Sequence, residues 1–530
     1  MITTAAATAR ALAAAGITRV FGLPGGEILV LMDELRRAGV DFVLMRHEAN
    51  AGIAAAVHGK LRGQPGVVLT TLGPGAANLM LPLSNAYLDQ EPLLAISAQI
   101  PDDFPAAHTH QLLPLHDVYR PVTRYVAKIT GANAGDVVRQ AIAACMTRPY
   151  GTAYLTLSAR EALAAADGVR TEAPAAPVVR QADAIEKASA LSAKLAASER
   201  PLVVVGLGVE SRNAARIRRW IRDWNLPVAV TPKVKGIVDE TGATFVGVAG
   251  GMAADGLMCD ALAAADLVIG LGLDPVEIDK TWHAELPIEW VLEAPNVGEI
   301  VPPGTELVAH AALLDALLGR RAPRDWDAPF RAFQRQRREM LADGTHQSGT
   351  MWPGDIVRSL AAVCPPETIV TTDVGSHKYL FGQFWPSREP DTFWMSNGLS
   401  GMAYGLSAAI GAKLARPDAP VLAAVGDGGF SMNCQELETA ERVGAPFVTI
   451  VLEDCSYSLI KLSQESKKLE PYRTDFNPID SVKMAEACGV EGVRTTSPEE
   501  LASVAKRAID CRRGLVIAVP VDYADYRRLF

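Results

Sequence analysis

Several features are missing from this chain, and each absence narrows what it does. No stretch of 18 consecutive apolar residues occurs, so no membrane-spanning helix is expected. No cluster of Lys and Arg stands out, and a net charge of −9 argues against nucleic acid as a partner. The seven cysteines are scattered, odd in number and without a Cys-x-x-Cys pair. That pattern fits neither a disulfide framework nor a zinc site; it fits reduced thiols in a cytoplasm. The opening MITTAAATARALAAAG lacks the basic, apolar, small-residue order of a secretory signal. It reads instead as an Ala-rich amphipathic helix.

What is present is apolar material: 49% hydrophobic and 21% charged residues over 530 positions, enough for about three domains. Short apolar runs alternate with helical segments in three regions. Residues 1–165 carry ITRVFGL, FVLM, GVVLTTL and LLAISAQ. Residues 182–320 carry LVVVGLG, PVAVT and LVIGLGL. Residues 350–530 carry TIVTTDVG, VLAAVGDGG, FVTIVL and LVIAVPV. The alternation predicts an α/β protein of three doubly wound parallel-sheet domains. APAAPVVRQAD, from Ala173, reads as a linker. The right half of RRAPRDWDAPFRAFQRQRREM reads as a surface helix. The first and third regions echo each other, with glycine turns and acids at strand ends, as a weak repeat with no countable period.

In the third region, VLAAV ends in Gly426-Asp427-Gly428-Gly429 and FVTIVL ends in Glu453-Asp454. Between them, about Asn433 to Val443 has helix start and stop signals. A strand–helix–strand crossover makes the strands parallel. Asp427 and Asp454 then converge on the sheet edge where such folds bind ligands. Singly, Asp427 suits a turn and Glu453-Asp454 a solvated strand end. Together they suit a phosphorylated ligand with Mg²⁺, which takes one or two carboxylates plus phosphate oxygens. Cys434 and Cys455 flank this place without a base partner and read as packing residues. Glu48 follows FVLM at a strand-to-helix junction; alone, it suits an acid favoured by the helix dipole.

FGLPGGE, RHEANA, TTLGPGAANL, DVGSH and GDG followed by LED, at this spacing, resemble the thiamine-diphosphate-dependent 2-oxo acid decarboxylase and carboligase family. The resemblance covers nearly the whole chain in that family's order of pyrimidine-binding, central and diphosphate-binding domains. It implies Mg²⁺ on Asp427, Asp454 and the Ser456 backbone carbonyl. It implies thiamine diphosphate near Gly25, Pro74, Asn78, Ser376, His377, Met402, Gly426, Gly428, Gly429 and Tyr457, with Met402 propping its bent shape. Glu48 is then the acid on the aminopyrimidine ring nitrogen, favouring the tautomer whose imino group removes the C2 proton. The glutamate and the metal site come from different subunits in this family, so a homodimer or homotetramer is implied.

Thr109-His110-Gln111 before RPVTRY, together with ELETA and DPVEID, resembles the FAD-independent, catabolic type of acetolactate synthase. No flavin is then expected. The implied reaction joins two pyruvates into 2-acetolactate and CO₂, and Gln111 could face the bound intermediate or be a surface residue. His47 and His110 read as structural or exposed, as does His108. Three departures stand out. Asp454 replaces the family's more frequent Asn. SLIKLSQESKK lacks a tryptophan, and its Lys461 and Lys467 read as solvated. Glu27 stands where the catabolic synthases carry a lysine for the acceptor's carboxylate. Like charges at ~4 Å cost about 4 kcal/mol at an effective dielectric of 20. If Glu27 faces the site, the rival reading is a decarboxylase or aldehyde lyase with another substrate. A rival of another class is a catalytically silent, cofactor-binding regulatory subunit.

Overall fold

The computed structural model describes residues 2–105, 107, 109–166, 181–277, 288–295, 307–318, 326, 328–342, 344 and 346–530. The expected linker from Ala173, His108 and the end of DPVEID lie outside the described residues wholly or in part. The chain packs as two units. The first comprises Met1–Pro177, Leu399–Asp418 and Gln435–Ala445. The second comprises Val178–Gly398, Ala419–Cys434 and Pro446–Phe530.

The first unit holds a six-stranded parallel sheet. Its order is Asp41–Leu44, Arg19–Gly22, Gly66–Thr70, Leu93–Ala98, Thr152–Leu157, Tyr125–Lys128. The helix Glu48–Arg62 starts at His47, whose ring accepts the Ala49 N–H at 3.1 Å, and stops at Gly63 with φ 68°. It is buried nearly all round from Glu48 to Gly59. Its Ala and Gly residues permit that, because the helix Tyr404–Ala415 lies hard against it. A Cβ on Gly411 would stand 2.2 Å from the Ala54 carbonyl oxygen. The N-terminal helix Thr4–Ala14 is present, but Thr4 to Ala9 are all buried, so it is an interior helix rather than an amphipathic one.

The second unit holds two parallel sheets over one shared apolar core, which includes Val203, Val230, Leu422 and Ile450. The five-stranded sheet runs Phe245–Val248, Val228–Val230, Pro201–Val205, Leu267–Leu271, Ile288–Val291. The six-stranded sheet runs Phe393–Met395, Ile369–Thr372, Val421–Gly426, Val448–Glu453, Leu515–Pro520, Glu491–Arg494. Numbered along the chain within each sheet, both six-stranded sheets have the order 2-1-3-4-6-5. The faint echo between the first and third regions is therefore an echo of topology. In each, the order reverses between strands 1 and 3, which opens a crevice beyond their C-terminal ends.

The expected surface helix is Arg331–Ala342, but Gln334 is buried and the Arg337 guanidinium lies 4.9 Å over the Phe245 ring. Arg331, Arg335, Arg338 and Glu339 are exposed, so the helix does lie at the surface, with Gln334 and Arg337 turned inward. The single helix expected near Asn433 to Val443 is two, Asp427–Asn433 and Glu436–Arg442.

An ion pair lies inside the second unit. Lys235 and Glu240 are buried, with Nζ 2.5 Å from Oε2. Lys235 also donates to the Trp385 carbonyl at 2.9 Å, and Glu240 accepts the Gly236 and Ser387 N–H groups at 2.9 and 3.2 Å. Burial pushes the ammonium down and the carboxyl up, and each partner pulls the other back. Removing one partner leaves a bare buried charge. Lys235→Met is expected to cost about 3–5 kcal/mol, and adding Glu240→Leu to recover much of it. Denaturant unfolding of the three proteins checks this; an unchanged midpoint for Lys235→Met would remove the pair from the stability of this unit.

Candidate active site

In the second unit, the register Val425 opposite Val451 and Gly426 opposite Leu452 brings two strand ends side by side. Asp427 begins the helix after the first strand and is buried. Its Oδ1 accepts the Gly428 N–H and its Oδ2 the Cys455 N–H, both at 2.8 Å. Cys455 has φ 54°, an uncommon value for a residue with a side chain. The Ser456 N–H closes back on Asp454 Oδ1 at 3.1 Å. Glu453 points to the opposite face, as strand alternation requires, and pairs with Arg494. So the second strand contributes Asp454 and not Glu453.

Burial pushes the Asp427 carboxyl up to about 6. Burial, then the charge of Asp427, pushes Asp454 up to about 7. Two half-desolvated carboxylates that repel each other form an electrostatic site for a cation. No group of three or more His, Cys, Asp or Glu side chains placed to hold a metal occurs among the described residues. Two carboxylates suit a hard cation that brings phosphate and water oxygens with it. Ser456 is steadied by an antiparallel bridge to Asp475, and the Tyr457 N–H donates to Thr474 at 2.8 Å. Lys461 corrects the expectation of a solvated lysine. Its Nζ is 2.9 Å from Asp475 Oδ1 and 4.1 Å from the centre of the Tyr523 ring. It braces the loop that carries Ser456. Lys467 is exposed.

Glycines clear the space beside the acids. A Cβ on Gly426 would lie 2.9 Å from His377 Cε1, one on Gly428 3.0 Å from Tyr457 Cε1, and one on Gly429 2.2 Å from Asp373 Oδ2. Ser376 and Ser458 hydroxyls meet at 2.8 Å. His377 is buried, and burial pushes its imidazole down to about 3, so it is neutral at pH 7. Its Nε2 meets no hydrogen-bonding group among the described residues. An unmatched buried ring nitrogen beside side-chain-free glycines leaves a place for a polar ligand. The structure thus brings together Ser376, His377, Gly426, Asp427, Gly428, Gly429, Asp454, Ser456 and Tyr457. Asp373, in the quoted DVGSH, was overlooked as the group pressed on Gly429. Met402 belongs to the first unit, in the turn before Tyr404–Ala415.

In the first unit the other expected residues cluster at the crevice beyond Arg19–Gly22 and Gly66–Thr70. Glu48 is buried, and its Oε2 accepts the Asn78 amide at 2.9 Å. Its Oε1 faces Gly75, where a Cβ would stand 3.3 Å away. Pro74 opens the short helix Pro74–Ala77 that leads to Asn78, and Tyr119 braces it by donating to the Ala76 carbonyl. Gln111 lies over Gly73, where a Cβ would be 3.0 Å from its Cγ. Gly25 packs against Thr71, where a Cβ would be 2.5 Å from Thr71 Cβ. Thr71 donates its hydroxyl hydrogen to Glu27 Oε2 at 2.6 Å. Glu27 and Glu48 are therefore both tied to the segment from Thr71 to Asn78. Thr71 and Tyr119 were missed, although TTLGPG displayed the threonine.

The central sheet has its own glycine turn, Gly206-Leu207-Gly208, and the fold fills it from within. Leu207 N–H donates to Glu277 Oε2 at 2.7 Å, and the Gly206 and Gly208 N–H groups donate to Leu271 and Gly272 at 2.9 and 2.7 Å. Glu277, from DPVEID, is itself buried and accepts the Thr231 hydroxyl at 2.6 Å. These amides are spent on the protein rather than offered to a phosphate.

Comparison with known proteins agrees with this arrangement. The model of the thiamine pyrophosphate enzyme N-terminal TPP binding domain matches residues 2–117, the central domain 188–312 and the C-terminal TPP binding domain 373–519. An acetolactate synthase of Bacillus subtilis (strain 168) is 31% identical over 96% of this chain and 91% of its own. A catabolic acetolactate synthase of Raoultella terrigena is 30% identical over 97% and 94%. A putative thiamine pyrophosphate-containing protein of Bacillus subtilis is 27% identical over 96% and 89%. No described helix is long and apolar enough to cross a membrane. With both strand-end clusters in place and its relatives alike over their length, the chain belongs to the thiamine pyrophosphate enzyme family.

Proposed function

We propose that this protein is an acetolactate synthase-like carboligase that takes pyruvate, with Mg²⁺ held by Asp427, Asp454 and Ser456. The proposed division is pyrimidine-binding 1–165, central 182–320 and diphosphate-binding 350–530. A homodimer or homotetramer in the cytoplasm completes the reading. Seven free cysteines suit a reducing compartment. The observation that carries the reading is the carboxylate pair of buried Asp427 and half-buried Asp454 beside glycines, in a chain similar end to end to acetolactate synthases.

Bound thiamine diphosphate supplies the electron sink for the carbanion left when a 2-oxo acid loses CO₂. The chain does the rest. Asp427 and Asp454 hold the cation by oxygen. His377, Ser376, Gly428 and Gly429 form the walls for the diphosphate. Glu48 carries the exchanging proton at Oε1, because Asn78 occupies Oε2. Gln111, at the mouth of the same loops, orients the reacting oxygen.

One observation favours a second reading. Glu27, tied to Thr71 beside the Glu48 loops, would repel an anionic acceptor. The acceptor is then an aldehyde, or water protonates the carbanion. NMR of products from pyruvate, thiamine diphosphate and Mg²⁺ separates the two. 2-Acetolactate is the expected product. Acetaldehyde alone would move the assignment to a decarboxylase, and untouched pyruvate with cofactor bound would move it to another donor.

A further inference from the structure

Glu436 has no exposed surface. A carboxylate so placed must be met by donors. They come largely from a turn 390 residues earlier in the chain. The Arg46 N–H lies 3.1 Å from Oε1 and 3.3 Å from Oε2. The Asn50 amide donates to Oε1 at 2.8 Å, and the Thr439 hydroxyl to Oε2 at 2.7 Å. Around this centre, Arg46 pairs with Glu438 at 2.7 Å and Arg442 donates to the Leu44 carbonyl at 2.7 Å. Glu48 follows Arg46 by two residues and opens the helix that carries Asn50. The backbone that sets the direction of Glu48 is thus gripped at Arg46 before it and Asn50 after it, by one buried carboxylate. The gripping segment, Glu436–Arg442, is part of the crossover whose ends bear Asp427 and Asp454.

We propose that Glu436 is a positioning residue that holds Glu48 in line for proton exchange. This rests on the reading of Glu48 as the exchanging acid. Glu436 does not touch the reacting atoms; it acts through the turn. An apolar residue of similar size removes both acceptors and leaves the Arg46 N–H and Asn50 amide unmatched. Glutamine keeps one carbonyl oxygen, enough for those two donors, and its amide can donate to the Thr439 hydroxyl.

The test follows exchange of the C2 proton of protein-bound thiamine diphosphate with deuterium by NMR, in the presence of Mg²⁺. Cofactor affinity is measured beside it by calorimetry. Glu436→Leu is expected to slow exchange by at least about tenfold, since small misplacements of an aligned group cost up to about a hundredfold. Cofactor affinity is expected to stay within about twofold, and Glu436→Gln to restore most of the rate. Asn50→Ala, a milder cut at the same tie, is expected to slow exchange in the same direction and decides the matter if Glu436→Leu does not fold. Glu48→Gln is run as reference. Slow exchange in Glu48→Gln with wild-type exchange in Glu436→Leu, or in Asn50→Ala where the former does not fold, overturns the proposal alone. So does loss of cofactor affinity in step with exchange. Wild-type exchange in Glu48→Gln overturns the reading of Glu48 and this proposal with it.

Discussion

Glu48→Gln is expected to keep thiamine diphosphate and Mg²⁺ bound while turnover falls by about 10²–10⁴-fold, the range for losing a positioned proton-transfer group. The geometry gives the reason for the split. Glu48 sits in the first unit, at the start of Glu48–Arg62, while the residues proposed to hold the cation and diphosphate sit in the second. Losing the exchanging proton at Oε1 therefore removes none of the proposed holding groups. Glutamine keeps the side chain's length and one carbonyl oxygen for the Asn78 amide, so the short helix Pro74–Ala77 need not move. The measurement is a pair: steady-state turnover with pyruvate, and cofactor affinity by calorimetry. Unchanged turnover would remove Glu48 from the mechanism. Lost affinity would make it a holding residue instead.

Much of this was legible in the sequence, for physical reasons that differ by region. Val421–Gly426 and Val448–Glu453 are central strands covered on both faces, so they read as unbroken apolar runs. The same holds for Gly66–Thr70, Leu93–Ala98 and Pro201–Val205. Edge strands carry less of this signature, although Asp41–Leu44 still shows as FVLM. Glu491–Arg494 and Tyr125–Lys128 are only partly buried along their length, and nothing in EGVR or YVAK marks a strand. Phe245–Val248 and Phe393–Met395 are buried but too short to stand out. The site showed the same divide. Asp427, Asp454 and Glu48 were visible because each ends or follows an apolar run. Asp373, Thr71 and Glu436 were not, because their roles depend on contacts far along the chain. Glu436 lay in plain view in ELETA, yet only the fold shows that its donors are at Arg46 and Asn50. Lys461 read as solvent-facing because nothing in SLIKLSQ announces Asp475 and Tyr523 beside it.

Asp427→Asn is expected to weaken cation-dependent cofactor retention by at least about a hundredfold, since even outer partners of metal ligands cost 10–100-fold. Asparagine retains one oxygen for either the Cys455 or the Gly428 N–H and sets its amide group against the other. What is lost is one of two charges, and with it the mutual repulsion that a cation relieves. The same repulsion fixes a pH signature for the unaltered protein. Both carboxyls lie above the ordinary value of 3.8, at about 6 and about 7, without the cation. The folded chain therefore binds more protons than the unfolded chain between these limits. Its stability without cation falls as pH rises from about 4 to about 7 and then levels. Protons and cation compete for the same oxygens, so cation affinity is expected to be roughly twentyfold lower at pH 6 than at pH 8. In Asp427→Asn the Asp454 carboxyl loses its facing charge, so both trends flatten. Equilibrium dialysis of thiamine diphosphate with and without Mg²⁺, at the two pH values, reads retention and its pH dependence, and denaturant unfolding without cation between about pH 4 and pH 8 reads the stability trend. Full retention by Asp427→Asn, or affinity independent of pH in the unaltered protein, would place the cation elsewhere. A flattened profile with lost retention ties the two carboxylates at the strand ends to one ion.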